Sequence, residues 1–264
     1  MLDFQYKPSY SVKDLEEIVR ILRAPGGCPW DAEQTHESIR RNFLEEAYEV
    51  VEAIDEKSTD HLEEELGDVL LQVMFHTRIE QEKGIFDLDA VADRVCKKLI
   101  YRHPHVFGEV KVSDTSQVLT NWEALKRTEK GQATHTDALS AVSRSLPALW
   151  RAEKVQSKAR KAGFDWPDVS GALDKLSEEL DELREAIAQG GNISEELGDL
   201  LFAAVNVSRF VKTDPEEALT GASDKFIARF EKVEDGAAAQ GRRLEDMTLA
   251  EMDALWEKAK RQET

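Results

Sequence analysis

One acidic signature is written twice, in the same order, along this chain. Glu45-Glu46-Ala47-Tyr48-Glu49 is followed by Glu65-Leu66-Gly67-Asp68-Val69-Leu70, and Glu178-Glu179-Leu180-Asp181-Glu182 by Glu196-Leu197-Gly198-Asp199-Leu200-Leu201. The second copy of each motif lies 131 to 133 residues after the first. Downstream landmarks keep the order: Lys98 and Arg102 are matched by Lys225 and Arg229, and Trp122 and Lys126 by Trp256 and Lys260, at offsets of 127 and 134. Trp30-Asp31 has an echo in Asp165-Trp166. A period this long is a duplicated domain rather than a solenoid repeat. The 264 residues suffice for two domains, each with its own core. The polar stretch Thr128 to Asp137, with Gly131, is the expected linker. The expected organisation is therefore an N-terminal helical repeat over 1–130, a linker over 131–139 and a C-terminal helical repeat over 140–264, the latter favoured as the catalytic unit.

The fold class expected is all-α. Ile39, Phe43, Ala47, Val50 and Ile54 recur every three or four residues, as do Leu62, Leu66, Val69 and Val73. In the second copy Leu173, Leu176, Leu180, Leu183 and Ile187 form one stripe, and Leu197, Leu200, Leu201, Ala204 and Val205 another. Start signals accompany the stripes: Asn192 before Glu195 and Thr248 before Glu251 have capping-box spacing, and Asp214-Pro215 places a cap before a first-turn proline. A first helix is expected near 11–24, ending at the loop Pro25-Gly26-Gly27-Cys28-Pro29, and another near 88–102, ending at His103-Pro104.

The formal net charge of -18 argues against a nucleic-acid partner, whose phosphates bind chiefly through Lys and Arg. An acidic cleft also repels a triphosphate unless divalent cations intervene. No basic start and apolar run opens MLDFQYKPSYSVKDLEE, and no long apolar segment follows, so no membrane association or export is expected. Cys28 and Cys96 are far apart, which suggests neither a disulfide framework nor a cysteine zinc site and fits a reducing cytoplasm.

Residues three and four apart share a helix face, so Glu45, Glu46 and Glu49 can converge, as can Glu178, Glu179 and Glu182; Glu65 with Asp68 and Glu196 with Asp199 are neighbours on the next helix. A short connection makes consecutive helices antiparallel and brings both acidic pairs to one cleft. Such an oxygen-rich site suits Mg2+ or Mn2+. A solvated acidic face is the plainer explanation of one such motif. Recurrence in register, and the placing of the second-helix acids in Leu-Gly-Asp-x-Leu beside expected core positions, favour the metal reading. Gly67 and Gly198 lower helix propensity at the same place twice, which hints at close helix approach.

These motifs, together with Gly-Gly-Cys-Pro-Trp-Asp-x-x-Gln-Thr-His from Gly26 and Arg-His-Pro-His-Val-Phe from Arg102, resemble the MazG family of all-α nucleoside triphosphate pyrophosphohydrolases, in its form with two tandem helical-bundle repeats. The resemblance implies Mg2+ held by Glu179, Glu182, Glu196 and Asp199, with Glu46, Glu49, Glu65 and Asp68 as the equivalent first-copy set, and a homodimer. It implies hydrolysis of nucleoside triphosphates at the α–β bond, a cleavage position that nothing in the spacing supplies. Lys175 is similar to a nucleotide-contacting position of the family, and its counterpart by alignment is Asn42.

From the residues themselves, Lys225 and Arg229 lie one turn apart and can meet one triphosphate, and Trp256, one turn before Lys260, offers a face on which any base can stack. Lys98, Arg102, Trp122 and Lys126 are their first-copy counterparts. The expected base specificity is broad. One carboxylate is needed as base or water positioner; Glu178 and Glu179 are the candidates, and spacing does not separate ligand from base. His36 follows Glu33 at ExxH spacing, but a di-iron bundle needs two such motifs, so His36 is expected to cap or pack in the Trp30 loop. P-loop and GxSxG motifs are missing. A non-heme di-metal oxidase and an acidic helical interaction module are the competing classes.

Overall fold

The computed structural model describes residues 4–129 and 131–262, and every regular element among them is helical. The chain divides into two compact units, Met1–Lys126 and Arg127–Thr264. Unit 1 contains α1 (Val12–Arg23), α2 (Pro29–Glu33), α3 (His36–Asp55), α4 (Thr59–Glu82), α5 (Leu88–Arg102) and α6 (Pro104–Phe107); α7 (Thr115–Glu129) runs across the division. Unit 2 contains α8 (His135–Ser140), α9 (Ala148–Lys161), α10 (Val169–Gln189), α11 (Ile193–Val211), α12 (Pro215–Ala238) and α13 (Leu249–Arg261). The stretch expected as a linker carries a left-handed turn at Gly131 and then α8, whose capping box is built on Thr134.

Local chemistry fixes the helix ends. Asn192 and Thr248 accept backbone hydrogen bonds from Glu195 and Glu251, and Asp214 accepts from Glu216 and Glu217 with Pro215 in the first turn. Each such cap contributes about 1 kcal/mol by satisfying amides that the first helical turn leaves unpaired. α1 and α5 end where the loop at Pro25 and the His103-Pro104 step require. The α3–α4 and α10–α11 connections are short reversals. At matching positions they use a left-handed backbone, Lys57 with φ 56° in the first and Gly190 with φ 75° in the second. Only glycine adopts that conformation without steric cost.

The core of unit 1 joins Val19 of α1, Ile39 of α3 and Met74, Phe75 and Ile79 of α4, with Leu15, Leu70, Leu71 and Leu88 packed around them. In unit 2, Ala172 and Ala186 of α10 and Ala203 and Val205 of α11 are buried, and the two helices lie against each other.

Several apolar positions depart from expectation. Leu66, Leu197 and Leu201 are about half exposed, at 52%, 47% and 51%, so the Leu-Gly-Asp segments do not sit beside a core within their own unit. Gly67 and Gly198 are not close-packing glycines either: a Cβ at either would meet no atom within 4 Å. The stripes are amphipathic as read, but part of each apolar face is left open by the neighbouring helices. His36 does not pack in the Trp30 loop. Thr35 caps α3, and His36 instead stacks on His76 of α4, with ring centroids 5.0 Å apart, and contacts Glu80 Oε1 through Nε2 at 2.7 Å.

Candidate active site

α10 carries Lys175, Glu178, Glu179 and Glu182, and the adjacent α11 supplies Glu196 and Asp199. Carboxylate oxygens of Glu179, Glu196 and Asp199 lie within 4.8 Å of one another. Glu179 is buried, Glu196 half-buried and Asp199 exposed, which gives a site closed on the protein side and open on the other. Glu182 stands next to Glu179; burial first, then the Glu179 charge, pushes its carboxyl above the usual range. Lys175 Nζ donates to Glu179 Oε1 at 2.6 Å and Glu178 Oε1 at 2.9 Å, and these two carboxylates hold its ammonium strongly in the charged form. Glu178 itself is exposed, outside the converged trio.

The same construction recurs in unit 1 with a different trio. Oxygens of Glu46, Glu49 and Glu65 lie within 4.8 Å of one another, and Asp68 is close enough to raise the Glu46 carboxyl, although burial does so most. Glu65 is 7% exposed, and its Oε2 is buried without a hydrogen-bond partner. Its Oε1 faces His61 Nε2 at 3.3 Å. Burial and the neighbouring Glu49 push the Glu65 carboxyl up. The two four-residue sets expected from the sequence thus reduce to two different converged trios, with Glu182 and Asp68 standing beside them. An orphaned buried oxygen and three hard oxygen donors at this spacing fit a divalent cation such as Mg2+ or Mn2+.

Glu179 and Asp199 form one edge of a cleft of about 580 Å3 in unit 2. Its opposite walls include Phe164, Trp166, Gln156 and Asn206, none of which the motif spacing singled out as a site residue. Asp165 and Arg209 also line it and form an ion pair, with Arg209 Nη1 donating to Asp165 Oδ2 at 2.9 Å. Arg209 Nε donates in turn to Asn206 Oδ1 at 3.0 Å, so the amide group of Asn206 is turned with its oxygen toward the arginine. Gly171 makes room for Trp166: a Cβ there would lie 2.6 Å from Trp166 Cγ. The one hint of these residues in the sequence is the Asp165-Trp166 echo of Trp30-Asp31. Arg209 and Asn206 carry no motif and reach the cleft only because α11 presents every third or fourth residue to it.

The remaining expected substrate residues gather elsewhere. Lys225 and Arg229 lie on α12, Trp256 and Lys260 on α13, and none of them lines the cleft. The Arg229 guanidinium lies 5.7 Å from the centre of the Trp256 ring, and Phe226 packs 4.9 Å from it. Lys260 pairs with Glu257 at 2.8 Å. Unit 1 repeats the arrangement with Lys98 and Arg102 on α5 and Trp122 and Lys126 on α7. Arg102 is buried with its guanidinium 5.4 Å from the Trp122 ring, and His103 packs edge-on against the same ring. In both copies the arginine and the tryptophan of the pattern make a cation–π contact between neighbouring helices.

The MazG nucleotide pyrophosphohydrolase domain model matches residues 34–107 and 168–234, one segment in each unit and each spanning one acidic helix pair. The chain is 45% identical over 248 residues to the nucleoside triphosphate pyrophosphohydrolase/pyrophosphatase MazG of Thermotoga maritima, covering 94% of this chain and 95% of that one. It is 43% identical over 251 residues to the nucleoside triphosphate pyrophosphohydrolase of Escherichia coli, covering 93% of this chain and 95% of that protein. Identity to YabN of Bacillus subtilis is 49% over 249 residues, 93% of this chain and 51% of YabN. With its paired helices, duplicated carboxylates and matches over nearly the whole length, the chain belongs to the MazG nucleotide pyrophosphohydrolase family.

Proposed function

We propose that this protein hydrolyses nucleoside triphosphates, ribo- and deoxyribo-, at the α–β bond to the monophosphate and pyrophosphate, with Mg2+ as cofactor and Mn2+ able to substitute, and with broad base specificity. The observation that carries this is the convergence of Glu179, Glu196 and Asp199 at the edge of a cleft large enough for a nucleotide, in a chain of this family. Unit 2 is the catalytic unit in this proposal, because Lys175 supplies a cation beside its carboxylates and Asn42 supplies none in unit 1.

Glu179, Glu196 and Asp199, with Glu182 beside them, would hold the metal. A divalent cation there supplies neutralisation of the phosphates and a lowered pKa for water. Glu178, exposed and outside the trio, is the carboxylate left to position the attacking water and take its proton. Lys175 is placed to donate hydrogen bonds to a phosphate oxygen, and Lys225 with Arg229 is assigned to the departing pyrophosphate. The apolar wall of Phe164 and Trp166 accepts a base without selecting its edge. Trp256, whose ring is already flanked by Arg229 and Phe226, is assigned to the α12–α13 seam instead of base stacking. Lys98, Arg102, Trp122 and Lys126 take the corresponding structural part in unit 1.

A homodimer belongs to the same proposal. Leu173, Leu180 and Ile187 stand seven residues apart on α10, and Leu197 and Leu201 lie on the adjacent α11; all are substantially exposed. An apolar face of this kind is covered in a stable soluble protein, and a second copy brings an identical face. No helix among the described residues is long and apolar enough to cross a membrane, and we place the protein in the cytoplasm.

Incubation with each ribo- and deoxynucleoside triphosphate and Mg2+, with products separated by chromatography, tests the activity. Monophosphate and pyrophosphate are expected, and no turnover in chelator. Diphosphate and orthophosphate as primary products, or full turnover without metal, would refute it. Sedimentation analysis should give twice the 29.8 kDa chain mass.

A further inference from the structure

Four residues before the second glutamate of each EExxE motif, the two copies carry different chemistry: Lys175 before buried Glu179 and Asn42 before half-buried Glu46. The consequence is visible in the charge balance of the two trios. In unit 2 the Lys175 ammonium sits 2.6 Å from Glu179 Oε1, and the buried carboxylate already has a full positive partner. Glu179 leaves no side-chain oxygen buried without a hydrogen bond, whereas Glu65 of unit 1 does. The His61 imidazole, which is positive only when protonated, reaches the unit 1 trio 3.3 Å from Glu65 Oε1 and is held by Glu56 on its other nitrogen at 3.0 Å.

We propose that Lys175 is a built-in stand-in for the divalent cation, so that unit 2 discriminates against the free ion and accepts it together with a triphosphate, while the unit 1 trio takes the free ion directly. This rests on the hydrolase reading of unit 2 given above. A free cation approaching Glu179 must displace an ammonium that then has only exposed Glu178 as partner. A cation arriving on a triphosphate brings its own exchange: the carboxylate passes from the ammonium to the metal, and the ammonium passes to a phosphate oxygen. Both charges keep a partner throughout, and no buried group is left unpaired. In the metal-free protein the same lysine holds Glu179 against the repulsion of Glu196 and Asp199. Lys175 is in this sense a positioning residue as well as a phosphate ligand. Unit 1, with Asn42 in that place, has no ammonium beside Glu46, and on its facing helix Glu65 keeps a buried Oε2 without a hydrogen-bond partner that a cation would satisfy.

The test is Mn2+ binding to the full-length protein without nucleotide, read by calorimetry and by the loss of the free-ion paramagnetic resonance signal. With unit 1 silenced by Glu46→Gln and Glu65→Gln, the wild-type unit 2 should bind Mn2+ weakly. Lys175→Asn and Lys175→Met should each tighten it at least about tenfold, because a unit charge has been removed from beside the ligand. A non-hydrolysable triphosphate should strengthen Mn2+ binding in the Lys175 form and do so far less in the two variants. With unit 2 silenced by Glu179→Gln and Asp199→Asn, Asn42→Lys should weaken Mn2+ binding at unit 1 by a similar factor. That reciprocal exchange decides the matter if the α10 variants lose their thermal transition. Unchanged Mn2+ affinity in folded Lys175→Asn and Lys175→Met overturns the inference, as does unchanged affinity in Asn42→Lys. If pyrophosphate is released with Mg2+ under such a result, the stand-in alone is wrong; if no triphosphate is hydrolysed with any metal, the hydrolase reading fails first.

Discussion

Gly171→Ala isolates the wall of the cleft from its carboxylate edge. Gly171 lies in the first turn of α10, and a Cβ built there stands 2.6 Å from Trp166 Cγ and 2.9 Å from Nε1, and nearer still to Cδ1. Ordinary carbon contacts lie at about 3.5–4.0 Å, so the indole has to leave its seat rather than shift by tenths. Trp166 is 40% exposed, so a little over half of its surface is at stake. Losing about 100 Å2 of apolar contact costs roughly 2.5 kcal/mol. Alanine in a helix returns up to about 1 kcal/mol relative to glycine. The net expectation is a destabilisation of about 1.5 kcal/mol, which lowers the melting temperature by a few degrees in a domain of this size. If Trp166 also flanks the base, KM should rise for every triphosphate while inorganic tripolyphosphate, which has no base, is unaffected. Thermal unfolding, the Trp166 fluorescence difference against Trp166→Phe, and steady-state kinetics provide the readouts. A melting temperature that rises, with unchanged fluorescence and KM, would show that the indole does not sit against Gly171.

Asp199→Ala should lower kcat by about 100-fold or more through loss of transition-state charge stabilisation, whereas Asp68→Ala, beside the unit 1 trio, should cost far less; equal losses would mean that both units catalyse. Lys57→Gly should stabilise the α3–α4 turn by about 0.5–1 kcal/mol, since Lys57 holds φ 56° where the second copy has Gly190; a lowered melting temperature would contradict it. Burial and like charges raise the Glu46, Glu65 and Glu182 carboxyls above their ordinary 4.5. The folded state therefore binds more protons than the unfolded one, and their contribution to stability is present below that pH and lost as pH rises through the folded values. Free Mg2+ should accordingly raise the melting temperature more at pH 7.5 than at pH 5 through Glu46 and Glu65 of unit 1, and an equal rise at both would argue against these two acids as a cation site.

The sequence by itself determined the helical class, the duplication and the ends of most helices, because those signals are local. A cap such as Asn192 or Asp214 acts within three residues, and an apolar stripe repeats within one turn, so both can be read without knowing what lies opposite. It also named the acids, since residues three and four apart on one helix must share a face. What it left open was decided by packing between helices. Whether Glu182 or Asp199 completes a trio depends on how α10 and α11 lie against each other, and the two copies answer differently from nearly the same letters. Lys175 acquired its meaning only when its ammonium was found on Glu179. The Arg102–Trp122 and Arg229–Trp256 contacts likewise join residues of different helices, which no local signal announces. Arg209, Asn206 and Trp166 became cleft residues through contacts 40 or more positions apart in the chain, as between Arg209 and Asp165. Gly67 and Gly198 show the converse, for a residue suited to close approach faces open space when no neighbouring helix comes near it. Chain-local energies select the helices, while distances across the cleft are set by side-chain volumes on facing surfaces, and these no single stretch of sequence contains.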